Sequence, residues 1–275
     1  MTSPVNLLKD ARRKGYALGS FNAVNLETAQ AVVGAAEAAH APVILQLSAN
    51  AARYGGLEAL FAIGHTLKRK ASVPVVLHFD HAERLDDALE ALELGFDSVM
   101  LESADLSPED NVQQLQILVE VARKKGAMVE GEFEIVSKEG REGEHLAAEK
   151  ISELATASGC DLVAIDIGSE HKMTEKAARL DLTRLERIAA LVPHPLVLHG
   201  SSGVAEGDLQ RAVHLGISKV NIATELMQTF TDSVRSSLQD ETLYDPRRYL
   251  GAAREAMQER AVALLHLLGS AGRAN

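Results

Sequence analysis

Short runs rich in Val, Ile and Leu recur along the chain, each followed by a longer stretch with apolar residues at helical spacing. Eight such runs stand at 16–21, 42–47, 73–79, 98–101, 127–130, 162–167, 195–198 and 219–222. Between them lie segments such as LETAQAVVGAAEAAH, LEALFAIGHTLKRK, RLDDALEALELG and NVQQLQILVEVARKKG. Gly95, Gly126 and Gly216 stand where a helix C-cap precedes the next run. Strand–helix alternation predicts parallel strands joined by crossover helices. Eight repeats predict a closed (β/α)₈ TIM barrel, one domain over 1–275, rather than an open doubly wound sheet. No GxGxxG follows the first run. FEIVSKEGREGEH, 133–145, reads as a long mobile loop after the fifth strand. The tail after Ser236 predicts extra C-terminal helices, broken by DPRR at 245–248.

Composition narrows the function class. Apolar residues make up 46% and charged residues 24%, as in ordinary globular proteins. A net charge of −11 argues against a nucleic-acid or membrane-surface partner, which would call for a basic chain. No apolar run approaches membrane-spanning length. The one cysteine, Cys160, excludes an internal disulfide framework, and with no secretory signal at the N-terminus the cytoplasm is the expected compartment.

Active sites of such barrels lie at the C-terminal ends of the strands. The polar residues at those ends are Asn22; Gln46 and Ser48; Asp80 and His81; Glu102 and Ser103; Glu130 and Glu132; Gly168, Ser169 and His171; His199 to Gly203; and Asn221 and Thr224. Three histidines, His81, His171 and His199, would converge there. Three imidazoles with an open fourth position suit a catalytic Zn²⁺, which polarises a carbonyl. His40, His65, His194, His214 and His266 read as surface or loop residues, while His78, on the strand body, would either pack or support the site from behind. LHGSSG, 198–203, leaves backbone N–H groups free beside small side chains, and KVNIATE, 219–225, runs a strand into a helix start. Both features favour an anion, at the usual phosphate position of a barrel.

In order and spacing, HFDHAERLDD, SVMLESADLSPEDN, VEGEFE, DIGSEHK, PLVLHGSSGV and LGISKVNIATEL resemble the motifs of class II (zinc-dependent) fructose-bisphosphate and tagatose-bisphosphate aldolases. The resemblance spans nearly the whole chain. It implies reversible cleavage of a phosphorylated ketose to dihydroxyacetone phosphate and an aldehyde. It implies His81, His171 and His199 as ligands of one catalytic zinc per chain, and Asp80 as the residue that handles the hydroxyl proton. It implies Gly200, Ser202 and Asn221, Ile222, Ala223 and Thr224 as phosphate contacts, with Asn22 and Ser48 on the substrate side. It also implies a homodimer or homotetramer, with Arg247 a candidate for the second phosphate or for a surface ion pair.

Three positions depart from the family pattern. Glu102 stands in MLESA where an Asp is usual; with Glu132 it marks a candidate second metal site of altered geometry. Lys172 replaces the Gly after His171, so a lysine would meet or obstruct the phosphate. In VSKEGREGE, Glu139 and Glu142 compete for the acidic role of the loop. These departures leave the substrate open among phosphorylated ketoses: fructose or tagatose bisphosphate, or a phosphorylated keto-deoxy sugar acid. A Schiff-base aldolase using Lys172 or Lys219, and a family member that binds sugar phosphate without catalysis, are the competing readings.

Overall fold

A computed structural model describes residues 3–134, 145–169 and 178–274. Eight parallel strands close a barrel in chain order: β1 (Leu18–Asn22), β2 (Val43–Ser48), β3 (Val75–Ala82), β4 (Ser98–Leu101), β5 (Met128–Glu132), β6 (Leu162–Ile165), β7 (Leu196–Leu198) and β8 (Ile217–Ile222). β8 pairs with β1, so no edge strand remains.

The strands sort their side chains by alternation. Outward residues such as Leu45, Leu77, Phe79 and Val220 pack with the surrounding helices. Inward residues at the N-terminal end, among them Leu18, Ile44, Val76, Met128, Leu162 and Val197, form a second apolar cluster with Leu7, Leu8 and Ala11 of helix Pro4–Lys14. That helix closes the barrel floor. Arg12 fastens it, donating to the carbonyls of Val192 (2.8 Å), Ala189 (2.7 Å) and His194. Above the floor the barrel interior turns polar.

Strand limits shift where polar residues extend the ladder. β3 runs on through Asp80 and His81, and β5 through Glu132, past the ends that hydrophobicity alone marks. Gly95 and Gly126 close their helices in the left-handed conformation. Gly216 does not, because helix Glu206–His214 ends at Leu215 and the glycine bends the chain into β8 with φ +122°. DPRR starts a helix: Asp245 accepts from the Arg247 amide at 3.0 Å, and Pro246 opens helix Pro246–Leu267. This helix packs across helix Leu26–Ala38 so closely that a Cβ on Gly34 would lie 2.6 Å from Gln258 Oε1. Most of the 133–145 stretch lies outside the described residues, Glu139 and Glu142 included.

Gly131 of β5 gives the same close approach inside the barrel wall; a Cβ there would lie 3.1 Å from the sulfur of Cys160. Burial pushes the Cys160 thiol up to about 12. It is therefore expected to stay unreactive to a thiol reagent in the native protein and to release one equivalent on denaturation. Rapid labelling of the folded chain would contradict the packing.

Candidate functional site

Asp80 and His81 are neighbours in β3. In a regular strand they would face opposite sides of the sheet. The pairing of β3 with β4 slips between Phe79 and Ala82, placing one extra residue in β3. His81 takes φ +54°, a left-handed backbone that is uncommon outside glycine but enriched in His. This bulge turns His81 back toward the barrel mouth, the re-aiming that bulges give beside active sites. Asp80, His81 and His199 then each offer a ligand atom within 4.8 Å of one another. The His81 and His199 rings meet edge to face, with centroids 5.1 Å apart.

Beneath them lies a buried network. His199 Nε2 is 2.7 Å from Glu130 Oε1, and Lys219 Nζ donates to Glu130 Oε2 at 2.8 Å. His78 Nδ1 meets Ser98 Oγ at 2.8 Å, while its Nε2 lies 3.5 Å from both Asp80 Oδ1 and Lys219 Nζ. Gln46 Nε2 donates to Asp80 Oδ2 at 2.8 Å and to Asn22 Oδ1 at 3.1 Å, and Ser20 donates to Gln46 Oε1. The Asp80 Oδ1 atom is buried and makes no hydrogen bond.

Charge follows this wiring. Burial pushes the Asp80 and Glu130 carboxyls up, but the cations around them win. The charge of His81, with the His78 ring beside it, holds Asp80 well below the usual range, and the charge of Lys219, with the hydrogen bond to His199, does the same for Glu130. Burial lowers His81, but the charge of Asp80, then Glu102 and Glu132, raises it to about 9. His78 and His199 are pushed down by burial, which keeps their rings neutral. Asp80 is thus an ionised carboxylate in a dry site.

A divalent cation fits this donor set. Two imidazoles and an ionised carboxylate with a spare buried oxygen converge at one point, and Glu130 holds one nitrogen of His199 as supporting carboxylates do for metal-bound histidines. His171 and Lys172 lie outside the described residues. Glu102 Oε2 stands 3.3 Å from His81 Nδ1, and buried Glu132 ends β5. Strand-end position marks Gln46 and Glu130 as polar site candidates, but nothing local pairs Glu130 with Lys219 beneath the site.

The loops after β7 and β8 are stitched together. Gly200 takes φ +62° and leads into the turn Ser201–Gly203. Ser201 donates to the Asn221 carbonyl, and Ser202 Oγ accepts from the Glu225 amide at 3.4 Å. Asn221 Nδ2 is 3.4 Å from the His199 ring. Ala223 precedes the helix Thr224–Ser237 without a side-chain cap, and Thr224 is its first residue. A helix start beside a small-residue turn is an anion site in form. Ser48 caps helix Ala49–Gly55, its Oγ accepting from the Ala51 amide at 3.2 Å. Arg247 stands in an exposed ion pair with Asp245 at 2.7 Å. No helix among the described residues is long and apolar enough to cross a membrane.

Residues 2–273 match the family model described as fructose-bisphosphate aldolase class-II. The chain is 37% identical to a fructose-bisphosphate aldolase of Thermus caldophilus, covering 100% of both chains. It is 32% identical to a sulfofructosephosphate aldolase of Alkalicoccus urumqiensis, covering 98% of this chain and 96% of that one. Among solved structures it resembles the YdjI aldolase of Escherichia coli K12, with a TM-score of 0.88, 29% identity, and coverage of 100% and 99%.

Proposed function

Since the chain belongs to the class II fructose-bisphosphate aldolases, a metal-dependent family acting on phosphorylated sugars, we propose that it cleaves a ketose bisphosphate, fructose or tagatose 1,6-bisphosphate, at the Asp80–His81–His199 cluster. The observation that carries this reading is the β3 bulge, which brings an ionised carboxylate and an imidazole from adjacent positions to one point.

His81 and His199, with His171 beyond the described residues, would hold one zinc ion. Bound there, zinc would supply Lewis-acid polarisation of the substrate carbonyl. Asp80 accepts the proton of the hydroxyl on the far side of the breaking carbon–carbon bond. The electron pair of that bond passes to the carbon beside the ketone, the aldehyde departs, and protonation of that carbon gives dihydroxyacetone phosphate. Gln46 fixes the Asp80 carboxylate so that one oxygen is kept for this transfer. Gly200, Ser202 and the stretch from Asn221 through Ile222 and Ala223 to Thr224 receive the phosphate, with Asn22, Ser48 and Lys172 on the substrate side. We assign Glu102 to the His81 ring rather than to a second ion. The active unit we propose is one barrel domain per chain in a cytoplasmic homodimer or homotetramer.

The test is a cleavage assay on both bisphosphates and on a sulfonated fructose phosphate, with and without chelator. Chelator-sensitive cleavage of a ketose bisphosphate is expected, restored by zinc. Borohydride trapping of substrate on Lys219 would replace this reading with Schiff-base chemistry. Phosphate binding without turnover at full zinc occupancy would leave a binding protein.

A further inference from the structure

Glu134 and Arg184 lie outside the cluster described above, yet both are withdrawn from solvent, with side chains 1% and 15% exposed. Glu134 follows Glu132 by two residues, where the chain leaves β5. Its Oε1 accepts from the Leu146 amide at 2.7 Å, two residues before helix Ala148–Ser158. Its Oε2 accepts from the Asp166 amide at 3.2 Å, just past β6. Arg184, in helix Leu182–Leu191, closes the arrangement. Its Nη2 donates to Glu134 Oε1, its Nη1 to the Leu146 carbonyl at 2.9 Å and its Nε to the Asp166 carbonyl at 2.9 Å. Asp166 passes the constraint on, accepting from the Gly168 amide at 2.9 Å. Gly168 holds φ +89°, and a Cβ there would meet the Arg179 carbonyl at 3.0 Å.

One guanidinium–carboxylate pair thus ties together three backbone points: the exit from β5, Leu146 and the end of β6. Glu132 and Ala164 are register partners, so Glu134 and Asp166 continue that pairing after the ladder stops. Such a buried pair is rarely a net source of stability, because desolvation cancels much of its attraction. Its distinctive property is the fixed fork, which reaches three acceptors in one plane.

We propose that Arg184 and Glu134 are positioning residues for the aldolase site: the pair fixes the ends of β5 and β6, and through them the carboxylate of Glu132 and the chain entering the segment that bears His171. The proposal rests on the aldolase reading for its effect on turnover, and on the geometry alone for its effect on the backbone.

The experiment compares zinc-saturated wild type with Arg184→Met, Arg184→Lys and Glu134→Gln by steady-state kinetics and by hydrogen exchange well below the unfolding temperature. In Glu134→Gln an amide NH₂ would face the Asp166 amide, a donor against a donor. The expected result is a kcat lower on the order of 10–100-fold with KM little moved. Exchange should quicken at Leu146 and Asp166 but not at Val129 or Val163. Arg184→Lys should recover part of the loss, and it serves as the milder variant where Arg184→Met does not fold. Unchanged kcat in a folded variant, or exchange that quickens throughout the barrel, would overturn the proposal. Wild type inactive on every ketose phosphate would defeat the aldolase reading instead, and the exchange pattern would still decide whether the pair fixes the two strand ends.

Discussion

Asp80→Asn is expected to lower kcat by about 10²–10⁴-fold, the usual worth of a positioned general base, while the protein keeps its fold and its zinc. The side chain stays the same size, and its carbonyl oxygen can still accept from Gln46, so the buried contact at 2.8 Å survives. What disappears is the carboxylate that its cationic surroundings hold ionised. The proton on the substrate hydroxyl then has no acceptor at this position. Because Asp80 also lies within 4.8 Å of the His81 and His199 ligand atoms, metal analysis of the same variant separates two roles. Full zinc with lost turnover marks a base. Lost zinc marks a ligand. Wild-type kcat would remove Asp80 from the chemistry.

The second large effect concerns Lys219. Lys219→Met is expected to destabilise the chain by about 3–5 kcal/mol, because it leaves the Glu130 charge buried without its partner. Glu130 and Lys219 are both 0% exposed, so water cannot replace the lost ammonium. The double variant Glu130→Gln/Lys219→Met should recover most of that stability, since removing both charges removes the penalty. It should not recover zinc affinity, because Glu130 also holds His199 at 2.7 Å; loss of such a supporting carboxylate typically costs about 10–100-fold in metal binding. Urea unfolding and chelator competition on the three proteins give both numbers. A double variant as unstable as the single one would show that Lys219 acts by packing rather than by charge.

The barrel was legible because hydrophobic runs and helical stretches alternate eight times, and parallel pairing follows from crossover helices. The strand ends were less legible, because the inward faces near the mouth are polar and the hydrophobic run stops before the strand does. β3 is the plain case: its apolar character fades at Phe79, yet the ladder carries Asp80 and His81. The bulge that joins those two residues has no hydrophobic signature, since it depends on one extra residue in the β3–β4 register.

The support layer was visible in a form that strand-end reasoning passes over. Ser20 and Asn22, Gln46 and Ser48, His78 and Asp80, Glu130 and Glu132, and Lys219 and Asn221 are polar pairs at i and i+2 in five strands. Spacing of two places each pair on one face, so the first members form a layer beneath the second. Glu130 reads as a strand-end carboxylate and Lys219 as the first residue of the eighth run; their pairing across the barrel depends on closure. His78 stands behind Asp80, in the supporting place the sequence suggested. The Glu134–Arg184 pair had no local signal, because its partners are 50 residues apart.

The measurement that bears most directly on the central claim is the zinc content and aldol-cleavage rate of wild type and His199→Ala, prepared side by side. His199 is fully buried, comes from a different strand than His81, and is held by Glu130. The account predicts about one zinc per wild-type chain, and loss of both the zinc and the cleavage in a variant that still folds. A folded His199→Ala that keeps its zinc and cleaves at the wild-type rate would contradict it.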